Sequence, residues 1–200
     1  MTTQSDCVND ALELLGEPPS TGSDDDSQWV VRCNQAYTRE VRKLFEEHIW
    51  NFSLTKFQLA AVDPTPDGWD YGFTKPAQCK RIVRVAATSD PTAGPIDYLD
   101  FGGRILTNSE TTWLDYVDGT KIDSPGMWPE LFAGALAAQI AWKVCPVVGT
   151  STDKKEYLER TMRRTAGKAK LWDAQQNGSF VIPPGEYEKA RVGFNRRYNG

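Results

Sequence analysis

Apolar residues recur at three and four between positions 8 and 15, where Val8, Ala11, Leu12 and Leu15 share one side of a helix. Ser5 or Asp6 stands where an N-cap belongs, and Gly16 followed by Pro18-Pro19 stops the helix. A polar, acidic stretch over 20–26 comes next, its aspartates suited to a helix start. Trp29, Cys33, Tyr37, Val41, Leu44, Phe45 and His48 then mark a second helix of about six turns. Beyond it the period drops to two. Trp50, Phe52 and Leu54 alternate with polar residues, as do Trp69, Tyr71 and Phe73 after the turn-forming run 63–68. Residues 81–87 and 113–117 read as further strands. Residues 98–101 and 104–107 read as a hairpin across Gly102-Gly103, where the turn demands positive φ. This middle third predicts one small, largely antiparallel sheet.

Helical spacing returns at Trp128-Pro129, with proline at the first helical position and Leu131, Phe132, Ala135, Leu136, Ala138 and Ile140 following. Its alanines permit close approach of neighbouring helices. Pro146 and Gly149 end it. Ser151 or Thr152 caps a last helix whose stripe is read as Tyr157, Thr161, Thr165, Ala169 and Trp172. The fold class is therefore α+β: a four-helix bundle with an antiparallel β lobe inserted between helices 2 and 3. In residue terms the helices occupy 1–49 and 127–176, the lobe 50–126, and together 1–176 make one domain.

Residues 177–200 follow neither period, so they bury no face on their own domain. Yet Phe180, Val181, Ile182, Tyr187, Val192, Phe194 and Tyr198 are too apolar for a solvated tail. Fully extended, such a segment reaches on the order of 80 Å. It reads as an arm for a partner, with Phe180, Tyr187, Arg191, Phe194, Arg196, Arg197 and Tyr198 as anchors. Trp69 in its turn, with Arg163, Arg164 and Trp172 on the last helix, are candidates for a subunit or partner interface, where aromatic and arginine anchors concentrate.

Charge sharpens this. Residues 1–28 hold seven acids and no base, while 154–200 hold eleven Lys/Arg against five Asp/Glu. That surplus of six leaves the rest of the chain at −10 within a total of −4. Opposed charge of this kind suits subunits packed side by side. A pI of about 5.1 does not suit a nucleic-acid reader. No apolar run approaches a membrane span, and the first residues lack the pattern of a secretory signal, so folding in a cytoplasm is expected.

Candidate chemistry is sparse. Cys7, Cys33, Cys79 and Cys145 are widely spaced and read as reduced, mostly buried thiols; with the single His48 they make no zinc spacing. His48 reads as a structural residue near a helix end. Asp24, Asp25 and Asp26 are adjacent and cannot all face one cation. Gly102-Gly103 lacks the following Lys-Ser/Thr of a phosphate loop. A paired-carboxylate hydrolase could draw on Glu13, Glu17, Glu46, Glu47, Asp97, Asp100, Asp115 or Glu130, but nothing marks any pair among them. No cofactor or metal is expected, and an enzyme is not.

Four stretches resemble one family. The segment Asn9-Asp10-Ala11-Leu12-Glu13-Leu14-Leu15-Gly16-Glu17-Pro18-Pro19 resembles the opening of the tail tubular protein A family of short-tailed bacteriophages. So do Trp50-Asn51-Phe52 after a long helix carrying Arg39-Glu40, and Gly68-Trp69-Asp70-Tyr71-Gly72-Phe73-Thr74-Lys75-Pro76. The fourth runs from Trp128-Pro129-Glu130-Leu131-Phe132 through Ala135-Leu136 to Ile140-Ala141. The resemblance covers positions 9 to 141 and implies a head-to-tail adaptor: a ring of twelve copies between portal and tail nozzle, with genomic DNA passing its lumen. It also implies a helical bundle with a β lobe, and a C-terminal extension that grips the portal. The expected location is the tail of the virion, at the portal vertex, after synthesis in the host cytoplasm. The competing readings are a tail-associated cell-wall or polysaccharide hydrolase, and a cytoplasmic interaction module.

Overall fold

The computed structural model describes residues 2–22, 27–62, 68–148 and 151–176. They form five helices and two three-stranded antiparallel sheets, an α+β fold. The acidic residues 24–26, the turn residues 63–67 and the arm at 177–200 lie outside the described residues.

Helix α1 (Gln4–Leu15) is capped by Thr3 rather than by Ser5 or Asp6. The Thr3 hydroxyl accepts the backbone N–H of Asp6 at 3.1 Å, and the Asp6 carboxylate accepts the Thr3 N–H at 2.8 Å. Asp6 thus fills the third position of a reciprocal capping box, one role away from the expected cap. Gly16 closes the helix at φ 80°, the left-handed conformation that glycine adopts without a steric penalty. Cys7, Val8, Ala11, Leu12 and Leu15 are buried.

Helix α2 (Gln28–Glu47) buries Val30, Cys33, Ala36, Tyr37, Val41, Leu44 and Phe45, with His48 at its C-terminal cap. The expected alternation from Trp50 does not begin a strand. Residues Asn51–Ser53 form a 3₁₀ turn, and Trp50 is locked in the core by its indole N–H, which donates to the Leu44 carbonyl at 2.9 Å. The alternation there comes from a helix end folding back, not from a pleat.

The strands are β1 (Leu54–Gln58), β2 (Tyr71–Thr74), β3 (Cys79–Ala86), β4 (Leu99–Phe101), β5 (Arg104–Thr107) and β6 (Trp113–Asp118). They make two sheets, ordered β1-β6-β3 and β2-β5-β4, and not the single sheet expected. Chain order alone does not say which strands pair, and β6 inserts between β1 and β3. Both hairpin glycines, Gly102 (φ 57°) and Gly103 (φ 77°), take the positive φ that a two-residue turn requires. Strand β6 joins the two cores. Leu114 and Tyr116 pack with Leu59, Phe73, Val85 and Ile105 between the sheets, while Val117 packs into the helical core.

A short helix not anticipated, α3 (Gly119–Ile122), follows β6 and is capped by Asp118. Helix α4 (Glu130–Val144) starts with Pro129 at its cap, one position before the expected place. It is buried almost all round, and α1, α2 and α5 (Thr152–Gln176) pack on it. The hydroxyl of Ser151 accepts the Lys154 N–H at 3.4 Å. The buried stripe of α5 is Leu158, Thr161, Ala169 and Asp173. Tyr157 and Trp172, expected in that stripe, are exposed; the true stripe lies one residue further on at both ends.

Candidate functional site

The helical core closes on an aromatic cluster at the junction of α2, the 3₁₀ turn and α4. Phe132 contacts Phe45, Trp50, Phe52 and Trp128, with ring centroids 4.9 to 5.2 Å apart. The Trp128 indole N–H donates to the Lys121 carbonyl at 2.8 Å, which ties α3 to the start of α4. Trp50 and Trp128 are core residues at 1 % and 5 % exposure.

Outside this cluster the chain leaves apolar surface uncovered. Met127, Leu131 and Trp172 are 60 %, 41 % and 36 % exposed. With Gly126, Trp128, Pro129 and Glu130 they line a hollow of about 460 Å³ between the start of α4 and the last turns of α5. Leu171, beside Trp172 in sequence, is also exposed. Of the residues singled out from sequence, the structure places only Trp172 here. Arg163 and Arg164 stand exposed on α5, Arg163 paired to Glu159 at 2.7 Å. Trp69 is half-buried ahead of β2, in the sheet region. The anchors Phe180, Tyr187, Arg191, Phe194, Arg196, Arg197 and Tyr198 lie outside the described residues.

Met127 and Leu131 were missed as surface residues because their neighbours at Trp128 and Phe132 are buried. Helical spacing alone puts Leu131 on the core side. The signal that could have found them is the pair of 3₁₀ and capping residues Pro125 and Pro129, which fix how the chain enters α4.

Charge is divided between helices. Asp6, Asp10 and Glu13 are exposed on α1, and Asp6, Asp10 and Glu130 line one shallow hollow with Gly134. Desolvation, then repulsion from Glu13 and Asp6, pushes the Asp10 carboxyl up. On α5 the exposed residues include Lys155, Arg160, Arg163, Arg164 and Lys168. A third feature is a cleft of about 590 Å³ between α2, β3 and α3, lined by Arg42, Lys80 and Arg81 with Glu46 and Asp123.

The carboxylates that a hydrolase would need are spread over separate elements. Asp100 pairs with Lys75 at 2.7 Å in the β4–β5 sheet, and Asp115 with Arg84 at 2.8 Å in the other. Glu47 faces Lys43 and Lys170, and Glu13 and Glu130 lie on α1 and α4. Among the described residues no group of three or more His, Cys, Asp or Glu side chains is arranged to hold a metal ion. The four cysteines form no disulfide; Cys7, Cys33 and Cys145 are buried and Cys79 half-buried. Burial, then repulsion from Asp10 and Asp6, pushes the Cys7 thiol up to about 12, and burial pushes Cys33 up to about 11.

These features describe an α+β protein whose exposed chemistry is apolar and electrostatic surface. No described helix is long and apolar enough to cross a membrane. In comparisons with known proteins, no family model and no curated relative matches the chain.

Proposed function

We propose that this chain is a structural head-to-tail adaptor of a short-tailed phage virion, and not an enzyme. In this reading its four long helices form a bundle and copies close into a ring of twelve between portal and tail nozzle. The genome passes through the lumen without sequence recognition. The arm at 177–200 grips the portal, and the β lobe meets the nozzle.

The observation that carries the reading is the division of charge between two helices packed on the same α4. α1 presents Asp6, Asp10 and Glu13, and α5 presents Lys155, Arg160, Arg163, Arg164 and Lys168. Unlike faces on one subunit favour heterologous contact with the next copy, the kind that closes into rings. Repetition around such a ring converts modest contacts into lasting attachment. The uncovered Met127, Leu131 and Trp172 at the root of the arm add apolar surface of the sort that interfaces use.

The test is the mass of the purified chain, alone and mixed with portal rings of the same phage, by native mass spectrometry. Binding of about twelve copies per portal ring is the expected result. A chain that ignores the portal at every concentration would sink the reading.

A further inference from the structure

We infer that strand β4 is a docking edge for an extended segment of another protein, one that alternates apolar and basic residues and adds a strand to the β2-β5-β4 sheet. Tyr98, Leu99 and Phe101 are 41 %, 44 % and 63 % exposed, three large apolar side chains within four positions. They stand on the outer edge of that sheet, which no described segment covers. The opposite edge is closed. There the Val62 N–H donates to the Gly72 carbonyl at 2.7 Å, and the Thr74 N–H to the Ala60 carbonyl at 3.4 Å. Apolar surface along a free strand edge is a template for pairing, which proteins otherwise cover or charge.

Register decides which backbone groups are available. The Lys75 N–H donates to the Gly103 carbonyl at 3.0 Å, so Gly103 and, two residues on, Ile105 face β2. Arg104 and Leu106 therefore face β4, where they meet Phe101 and Leu99. The N–H and C=O groups of Tyr98 and Asp100 point the other way, off the sheet. An added antiparallel strand bonds there and sets one of its residues directly opposite Asp100. Successive side chains alternate between faces, so Leu99 and Phe101 lie on one face and Asp100 on the other. Apolar residues of the partner extend the Leu99 face, and its basic residues meet Asp100. Charge selects such a partner over a second copy. Among the described residues Asp100 has Lys75 alone as a cation, at 2.7 Å, and Asp97 has no ion pair or hydrogen bond. Two β4 edges brought together would crowd the Asp97 and Asp100 carboxylates of both copies into one seam, where like charges repel. This inference does not rest on the adaptor reading.

The experiment titrates the full-length chain into a short, fluorescently labelled peptide in which valine and lysine alternate, and reads anisotropy. A peptide of the same composition, with its valines and lysines in separate blocks, is the control. Two further peptides carry N-methyl groups. One bears them on the lysine amides, which face β4 when the valines extend the Leu99 face; the other bears them on the valine amides, which face away. The expected result is binding of the alternating and valine-methylated peptides, with affinity lowered at least about tenfold by lysine methylation or by the block order. Asp100→Pro, which removes an outward N–H and no bond to β5, should give the same loss. The methylated peptides decide the matter without it if that variant does not fold. No binding by the full-length chain overturns the proposal, as does equal binding of the alternating and block peptides. A lysine-methylated peptide that binds like its parent, or a folded Asp100→Pro chain that does so, overturns it too. So does a parent mass that rises with concentration and falls back in Asp100→Pro, because the occupant is then a second copy.

Discussion

The Nε2 atom of His48 lies 3.1 Å from Oδ2 of Asp173, across 125 positions of sequence. The same carboxylate accepts the Asn51 N–H through its other oxygen at 2.9 Å, and the Asn51 side chain donates to the Asp173 carbonyl at 2.6 Å. Asp173 is 2 % exposed, so the end of α2, the 3₁₀ turn and the end of α5 are joined through one buried carboxylate. His48 therefore has a structural partner, as its place near a helix end suggested.

Replacing Asp173 with Ala leaves the Asn51 N–H and His48 without their acceptor in a buried site. The expected loss is about 2–4 kcal/mol of folding stability. Urea denaturation checks it; a loss under half a kilocalorie would show that the carboxylate contributes nothing net.

Phe132→Ala opens a void under Phe45, Trp50, Phe52 and Trp128. Its cost is expected at about 3–5 kcal/mol, the range for removing a buried aromatic ring. The near-ultraviolet circular dichroism of the surrounding tryptophans should weaken with it. An unchanged spectrum and melting temperature would count against the described packing.

Asp118 sets a pH dependence. Burial pushes its carboxyl up, but hydrogen bonds from the Thr120 side chain and backbone and from Thr55, with Lys121 nearby, outweigh burial and leave it below the ordinary 3.8. The unfolded chain therefore takes up this proton first as pH falls. The contribution is complete above the ordinary value and is lost as pH drops through the folded one. Denaturation midpoints measured between pH 5 and 3 should fall more gently for Asp118→Asn than for the parent. Parallel curves would contradict the assignment.

Thiol chemistry gives an independent check of burial. At pH 8 a disulfide reagent should modify Cys79 slowly, and Cys7, Cys33 and Cys145 only after urea is added. Three or four thiols reacting at once in the native protein would refute the packing of α1 on α2.

Two changes separate assembly from folding. If the chain is the adaptor proposed above, a version ending at Gly178 should melt close to the parent temperature yet fail to bind portal. Arg163→Glu with Arg164→Glu, on an exposed face, should alter stability by about 0.5 kcal/mol or less and, on the same adaptor reading, lower the mass of the assembly formed with the portal. Portal binding retained by the truncated chain would remove the arm from the mechanism.

Elements with one strong local period were legible in the sequence. Leu12 and Leu15, or Val41, Leu44 and Phe45, can satisfy their spacing on one helix face only. The Gly102-Gly103 hairpin was legible because its turn depends on backbone conformation alone. The partition into two sheets was not, since Leu114 beside Val85 and Ile105 beside Phe73 are pairings over long separations that no local pattern records. The α5 stripe was misread because Trp172 outweighs Asp173 in hydrophobicity, whereas the buried position is decided by His48 and Asn51 waiting there. The hollow at Met127 and Leu131 depends on how two prolines aim the chain, and on a helix arriving forty residues later.

α4 carries a consequence for synthesis. It has no polar face of its own, and the apolar sides of α1 and α2 close upon it. A ribosome has made about 130 residues before α4 begins, which at roughly 5–20 residues per second is on the order of 6 to 25 seconds after α1 appears. Throughout that interval the apolar sides of α1 and α2 that α4 covers have only each other. Translation speed and chaperone supply therefore govern the yield of native chain through the arrival of one alanine-rich helix.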